Sequence, residues 1–432
     1  MLSDFEHKKV AIWGLGKEGL ESYRVFRAAF PTKPLVLINR TQDFTDKYCS
    51  FLLEDEVKDH LQDMDVVIKS PGISLYHPLC DVFRHHKITL TSATNIWFGQ
   101  KRSGTVIAVT GSNGKSTTCA LLTHILSGLG MTVEMGGNIG TPLFSLGTEA
   151  DYYVVELSSY QTADLDHAPD IAVLLNLFPE HIQWHKSHEQ YFADKIHLIR
   201  TGAPVNILNR TDPLTRDIVT PIPKETLWFN DPAAVHIKGD SILCADITLG
   251  QVMDVTLPGR HNLENICAAL TVCRELELDL KACFKLAATY AGLVHRLENV
   301  GTIGGIRYIN DSISTTPEAT IAALKSFEGY AMTLIAGGED RQQDYGELAR
   351  YITAHPDIKI ITAYSTGPRI AKALGDRASL SVRNLKDAVG QARKITPKGG
   401  IILLSPAAPS YDAFKNFEMR GDNFKNLVKS HP

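Results

Sequence analysis

Residues 105–118 read Thr-Val-Ile-Ala-Val-Thr-Gly-Ser-Asn-Gly-Lys-Ser-Thr-Thr, and this stretch decides the fold. Val106 to Val109 form an apolar run, the pattern of a strand covered on both faces. A glycine turn follows, and Ala120, Leu121, Leu122, Ile125 and Leu126 then recur at helical spacing. Strand, glycine turn and helix in that order make a phosphate cradle. Gly111 and Gly114 let backbone N–H groups curl around an anion, and the helix start adds its dipole. Lys115 can reach the outer phosphates, and the Ser116 hydroxyl can ligate Mg2+. The general pattern places another glycine where this chain has Val109, so the loop is a shorter G-x-x-G-K-S-T form. A bare glycine turn with a chance lysine would not need the flanking strand and helix.

The whole chain bounds what surrounds this cradle. It has 432 residues, enough for two to four domains with their own cores. Hydrophobic residues make up 44% and charged ones 21%, which is globular composition. The net charge of −4 gives no basic surplus and argues against a nucleic-acid partner. Seven cysteines form no C-x-x-C pair and no zinc spacing, which fits a reducing cytosol. The opening residues lack a signal-peptide layout, and no apolar run reaches membrane-span length. The expectation is a cytoplasmic protein with no membrane partner.

Upstream, Lys9 to Gly16 read as a strand entering Gly14-x-Gly16-x-x-Gly19, a dinucleotide-binding fingerprint. The next strand, Leu35 to Ile38, ends in Asn39-Arg40 with no acid to hold a ribose 2′-OH. NAD is therefore disfavoured, while a nucleotide phosphate near Arg40 stays possible. A ligand-free packing turn is an equal reading of the motif alone. Val66 to Lys69 leads into Ser70-Pro71-Gly72-Ile73, another strand-end loop. The first unit ends near residue 93.

Downstream, Gly136-Gly137-Asn138-Ile139-Gly140 reads as a flexible loop, and Tyr152 to Val155 as a buried strand ending in Glu156. A P-loop protein needs its magnesium acid at that neighbouring strand end. Ser158-Ser159-Tyr160-Gln161 follows at the same edge. A third strand from Ile171 runs towards His181, which could meet a cation. His181, His185 and His188 lack the H-E-x-x-H pattern, so zinc is a minor reading. Lys195 lies in an amphipathic helix, and spacing alone favours a snorkelling surface lysine. Residues 203–256 look like an appended β-rich piece. Asn262 and Asn265 open an alanine-rich helix and could hold a base or ribose, or simply cap the helix. From residue 294, strands end in Asp311, Gly337 and Ser405, each with a polar loop at the edge where doubly wound sheets bind ligands.

These stretches in this order resemble the Mur ligases of peptidoglycan synthesis, and most closely their glutamate-adding branch. The resemblance rests on Thr110–Thr117, Gly137–Gly140, Glu156–Gln161, Pro179–His181, Lys195, Gly259–Asn265, His295–Arg296, Asn310–Ser312, Leu404–Pro406 and Ser410–Gly421. It spans the chain. It implies an α/β protein of three domains: a Rossmann-like UDP domain (1–93), a central P-loop ATPase domain with a parallel sheet (94–293), and a C-terminal Rossmann-like, glutamate-binding domain (294–432). ATP, Mg2+, glutamate and UDP-N-acetylmuramoyl-L-alanine are the implied partners, and a monomer is expected. Gly111, Asn113, Gly114, Lys115, Ser116 and Thr117 would cradle ATP, with Asn265, Arg296 and Asp311 on its adenosine and phosphates. Ser116, Glu156, His181 and Lys195 would serve the metal, Lys195 as a CO2-derived carbamate; Lys115, His181 and Lys195 would be catalytic. Asn39, Arg40, Gly72, Asn138, Ser159 and Gln161 would contact the UDP substrate. Thr315, Arg341, Ser410 and Phe417 would contact glutamate.

The chain departs from the common glutamate-ligase pattern at the acceptor end. Asp311-Ser312-Ile313-Ser314-Thr315-Thr316-Pro317 replaces Asp-Ser-Lys-Ala-Thr-Asn, and Arg341 stands where a lysine is expected. The two cations are not interchangeable. A related branch with this variant takes L-glutamate, so D- and L-glutamate are equal expectations. A folate-type polyglutamate ligase and an inactive nucleotide-binding homologue are the rivals. The UDP-type first domain argues against the former. Lys115, Glu156, His181 and Lys195 together argue against the latter.

Overall fold

The computed structural model describes residues 2–42, 46–180, 182–377 and 379–430, with Ile182 described by its backbone alone. The chain divides into two compact units, Met1–Asp254 with Leu263–Ala288 and Val255–Asn262 with Thr289–Pro432.

The first unit holds two parallel sheets. Its first strands are β1 (Val10–Trp13), β2 (Leu35–Asn39), β3 (Cys49–Leu53), β4 (Val66–Lys69) and β5 (Thr89–Thr91). They pair in the order β3-β2-β1-β4-β5. Every residue of β1 and β4 is buried, as near-continuous apolar runs require in a sheet covered on both faces. The winding reverses between β1 and β4, where doubly wound sheets open a crevice at their carboxyl ends. Ser70 closes the base of that crevice, with Oγ donating to Gly14 O at 2.6 Å. Gly14 turns there at φ +86°, and a Cβ on Gly19 would stand 1.8 Å from Gly14 O. Gly14 and Gly19 are thus packing requirements of this strand-to-helix corner, whereas a Cβ on Gly16 would meet open space.

The second sheet is built from β6 (Thr105–Thr110), β7 (Val133–Gly137), β8 (Tyr152–Glu156), β9 (Ile171–Leu174), β10 (Val205–Asn209) and β11 (Thr226–Phe229). Its order is β11-β10-β9-β6-β8-β7, all parallel. Two expectations change here. Gly136 and Gly137 end a strand rather than lie in a loop. Residues 203–256 are only partly an appendage, because β10 and β11 extend the main sheet. The separate piece is the antiparallel meander of β12 (Val235–Lys238), β13 (Ser241–Cys244) and β14 (Ile247–Gln251). The turns around β10 and β11 hid their parallel pairing, which depends on contacts distant in sequence.

The second unit carries β15 (Glu298–Ile303), β16 (Ile306–Asn310), β17 (Met332–Ala336), β18 (Ile358–Thr362), β19 (Leu380–Ser381) and β20 (Ile401–Leu404). The order is β15-β16-β20-β17-β18-β19, parallel except for the β15/β16 hairpin. Neighbouring β16, β20 and β17 bring Asp311, Ser405 and Gly337 to one edge. Among the described residues, no helix is long and apolar enough to cross a membrane.

Gly19→Ala is expected to cost about 1–3 kcal/mol, because its methyl must displace backbone rather than a flexible side chain. Urea denaturation measures this, and an unchanged midpoint would contradict the packing argument.

Candidate active site

Three adjacent strands of the second sheet, β8, β6 and β9, deliver the chemistry-bearing residues at their carboxyl ends. β6 runs into the glycine turn. Gly114 caps the helix Lys115–Gly128 at φ +87°, a conformation L side chains rarely adopt. A Cβ there would lie 2.4 Å from Asn265 Oδ1, so Asn265 backs directly onto the turn. Ser116 and Thr117 are buried in the first turn of this helix.

Two lysines converge on one carbonyl. Lys115 Nζ donates to Gly111 O and Ser112 O, each at 2.8 Å. Lys195 Nζ donates to the same Gly111 O at 2.9 Å. Lys195 is only 2% exposed, so the surface position favoured by spacing is wrong. The helix His188–Arg200 turns this residue inward with Tyr191, Ile196, Leu198 and Ile199. Burial, and then the neighbouring Lys115 charge, hold the Lys195 amine well below the usual lysine range.

Glu156 ends β8 and is 1% exposed rather than solvated. Its Oε1 accepts from Asn138 Nδ2 at 2.7 Å. Its buried Oε2 has no hydrogen-bond partner among the described residues. An orphaned carboxylate oxygen in a buried place is costly unless a cation completes it. That oxygen ends the strand paired with the one that runs into the phosphate-type loop, and it suits a hard divalent cation such as Mg2+. His181 lies outside the described residues. No group of three or more His, Cys, Asp or Glu among the described residues could hold a metal, so the zinc reading finds no support there. His185 is instead committed to Asp194 through Nδ1 and to Ser159 Oγ through Nε2 at 2.9 Å.

Sequence reasoning missed Asn176, which follows β9. Its Oδ1 accepts from Asn113 N at 2.8 Å, and its Nδ2 donates to Asn113 O at 3.1 Å. Its own carbonyl accepts from Ser112 N at 3.0 Å. Ser112 Oγ meanwhile receives Phe178 N at 2.7 Å and meets Tyr191 OH at 2.8 Å. The turn is thus held open by neighbours rather than by itself. A polar residue ending the adjacent strand was the available signal.

The predicted UDP contacts gather at the first sheet and at the loops facing it. Gly72 is exposed after β4. Asn39 Nδ2 donates to Thr41 O at 3.3 Å, and the exposed Arg40 pairs with Glu54 at 3.2 Å. Gln161 Oε1 accepts from Ser158 N at 3.0 Å, and its Nε2 donates to Glu18 Oε1 at 3.1 Å.

The second unit holds the other half of the predicted set. Asp311 is buried and accepts from Ser405 Oγ at 2.7 Å and Leu297 N at 3.2 Å. Burial pushes its carboxyl up to about 6 against the pull of those bonds and of Arg296. Arg296 Nε is buried without a hydrogen-bond partner among the described residues. Thr315 O accepts from Gln343 Nε2 at 3.1 Å, and Ser410 is buried. Phe417 starts the helix Phe417–Lys429, its ring edge-on to His295 at 6.1 Å. Arg341 is exposed, pairs with Glu339 at 3.0 Å and lies over the Tyr411 ring at 5.5 Å. Arg420 stood in the quoted Ser410–Gly421 stretch without a role. It is buried and donates to Ser312 Oγ, Ser312 O, Ala408 O and Pro409 O at 2.9–3.2 Å.

Asn176→Ala would leave the Asn113 backbone unpaired. These bonds are exposed, so water can replace them, and the change is expected to weaken ATP binding about threefold, the net worth of one hydrogen bond. Calorimetric titration with ATP and Mg2+ measures it, and unchanged affinity would remove the bracing role.

Residues 109–273 match the Mur ligase middle domain, and residues 295–408 match the Mur ligase glutamate ligase domain. The chain is 37% identical to the UDP-N-acetylmuramoyl-L-alanine--L-glutamate ligase of Xanthomonas oryzae, covering 100% of this chain and 97% of that protein. It is 34% identical to the protein of that name in Salinispora tropica, covering 99% of each. Its fold is similar to that of the UDP-N-acetylmuramate-alanine ligase MurC of Thermotoga maritima (16% identity, TM-score 0.59, covering 99% of this chain and 100% of that one). It is similar also to that of MurF ligase from the same organism, solved in complex with ADP (18% identity, TM-score 0.59, covering 93% and 96%). Two matched domains and full-length relatives above a third identity place the chain in the Mur ligase family.

Proposed function

We propose that this protein is the ATP-dependent ligase that joins glutamate to UDP-N-acetylmuramoyl-L-alanine in peptidoglycan precursor synthesis, and that it takes L-glutamate. The full-length likeness to relatives named for that L-glutamate reaction carries the reading. Arg341 in place of the common lysine supports the choice of enantiomer. Residues 1–93 would bind UDP, 94–293 ATP and 294–432 glutamate. The protein would act as a cytoplasmic monomer.

The reaction has two displacements. The L-alanine carboxylate oxygen attacks the γ-phosphorus of ATP, the bond to the bridging oxygen breaks, and ADP leaves. The glutamate nitrogen then attacks the acyl carbon, loses a proton, and phosphate departs from the tetrahedral intermediate. The protein's share is positioning and charge neutralisation. Lys115 exchanges its two carbonyl partners for phosphate oxygens. Arg296 supplies a cation whose Nε has no hydrogen-bond partner among the described residues. Ser116, Glu156, His181 and carbamylated Lys195 would hold magnesium, which when bound neutralises phosphate charge. Burial and the neighbouring Lys115 charge lower the Lys195 pKa, which favours the neutral amine that attack on CO2 requires. A nitrogen–carbon bond forms, one proton is lost, and the carbamate adds an anionic oxygen ligand.

Phosphate release with ATP, UDP-N-acetylmuramoyl-L-alanine and each glutamate enantiomer tests the central claim. Release with L-glutamate at least tenfold faster than with D-glutamate is expected. Release with neither enantiomer would sink the ligase reading, and preference for D-glutamate would reverse the stereochemistry.

Lys195→Ala is expected to lose nearly all activity and to recover part of it in formate or acetate, small anions that can stand in for the carbamate. Full activity without them would exclude the carbamate role.

A further inference from the structure

The first turn of the helix Lys17–Ala29 enters the crevice at the carboxyl edge of the first sheet and is engaged there by loops of the second sheet. Lys17 Nζ donates to Gly140 O at 2.8 Å. Gln161 Nε2 donates to Glu18 Oε1 at 3.1 Å. One turn on, Glu21 Oε1 accepts from Ser145 Oγ at 2.6 Å. The start of the helix is capped by Gly16 with no side-chain hydrogen bond, so its first N–H groups are left to an anion or to water.

Glu18 is an odd residue for this place. It stands in the second helical position, beside the turn where a nucleotide diphosphate is expected. Its carboxyl also holds the amide of Gln161, a predicted substrate contact. The charged groups facing it are Lys17 on its own helix, Lys69 at the end of β4, and Asp164 beyond the short helix Ser159–Thr162. Lys69 is 1% exposed, lies 3.6 Å from Asp164 Oδ2, and donates to Ile73 O at 3.1 Å. Asp164 Oδ1 is buried with no hydrogen-bond partner among the described residues. Two carboxyls therefore share one buried ammonium. An incoming diphosphate would add two negative charges beside those carboxyls, with Lys69 and Lys17 the cations facing Glu18.

We propose that Glu18 takes up a proton from solvent when the diphosphate of a UDP-linked sugar docks at this helix start, and so controls affinity for that substrate. This rests on reading the crevice as the UDP-sugar site. A neutral Glu18 removes the repulsion and gains an O–H to donate, while its other oxygen can still hold Gln161. A fixed carboxylate would oppose the diphosphate at every pH. Burial already pushes the Glu18 carboxyl up to about 7, partly offset by Lys69 and Lys17, so a small added field shifts its protonation. The sign follows. The free protein is mostly protonated here below neutrality and mostly ionised above it, so affinity falls as pH rises. The substrate's diphosphate and alanine carboxylate are ionised throughout pH 6–8, so a proton taken up in this range goes to the protein.

The test is calorimetric titration of the full chain with UDP-N-acetylmuramoyl-L-alanine at pH 7, in two buffers of different ionisation enthalpy, with Kd measured from pH 6 to 8. Wild type is expected to take up a fraction of a proton and to weaken about fivefold across that range, as one pKa unit of coupling centred there gives. Glu18→Gln should lose both the proton uptake and the pH slope. ATP affinity and thermal unfolding show that this variant is folded, and Glu18→Ala gives a second neutral side chain. Binding and turnover by wild type, with proton uptake absent or equal in the variants, would overturn the role of Glu18 and leave the ligase reading standing. Failure of wild type to bind the substrate would overturn both.

Discussion

Two ammonium groups on one carbonyl oxygen govern the first unit. Lys115 and Lys195 reach Gly111 O from different helices, and both are drawn there by the turn that follows β6. Water cannot separate two cations in so buried a place, so their repulsion must be relieved otherwise. One route is loss of a proton, towards which burial and the Lys115 charge bias Lys195. The other is an anion, and the open glycine turn is shaped to receive one. Glu156 Oε2 presents the opposite want, a buried carboxyl oxygen with no hydrogen-bond partner among the described residues. Unbalanced charges of both signs at one sheet edge leave a preformed need for phosphate and a divalent cation.

The cradle was legible because its signals are local. An apolar run, glycines at set offsets and a lysine opening a helix lie within fourteen residues. The parallel strands were legible for the same reason. Lys195 was not, because amphipathic spacing cannot say which face of a helix is buried when a charged side chain points inward to pair. Asn176 and Glu18 were missed on related grounds. Each acts through a partner 63 or more residues away, Asn113 for one and Gln161 for the other. Whole-chain resemblance singled out Lys195 because it compares chemistry position by position. Asn176 and Glu18 lay outside the matched motifs and needed coordinates.

The acceptor half shows how one fold can change what it recognises. Arg420 is buried, and among the described residues its partners are three carbonyls and a hydroxyl. Burial pulls it down to about 10, and it remains a cation near neutrality. Its guanidinium ties the loop after β16 to the loop after β20, and a Cβ on Gly338, after β17, would stand 3.0 Å from Nη1. One planar fork thus sets the spacing of three loops at the edge where glutamate would sit. Arg341 is its counterpart in solvent, paired with Glu339 and lying over the face of Tyr411. An exposed cation can be exchanged or re-aimed without disturbing the frame, while a buried one cannot. A change of acceptor is therefore written more cheaply in Arg341 and the Ile313–Thr316 loop than in Arg420, and the chain departs from the common pattern at the former positions.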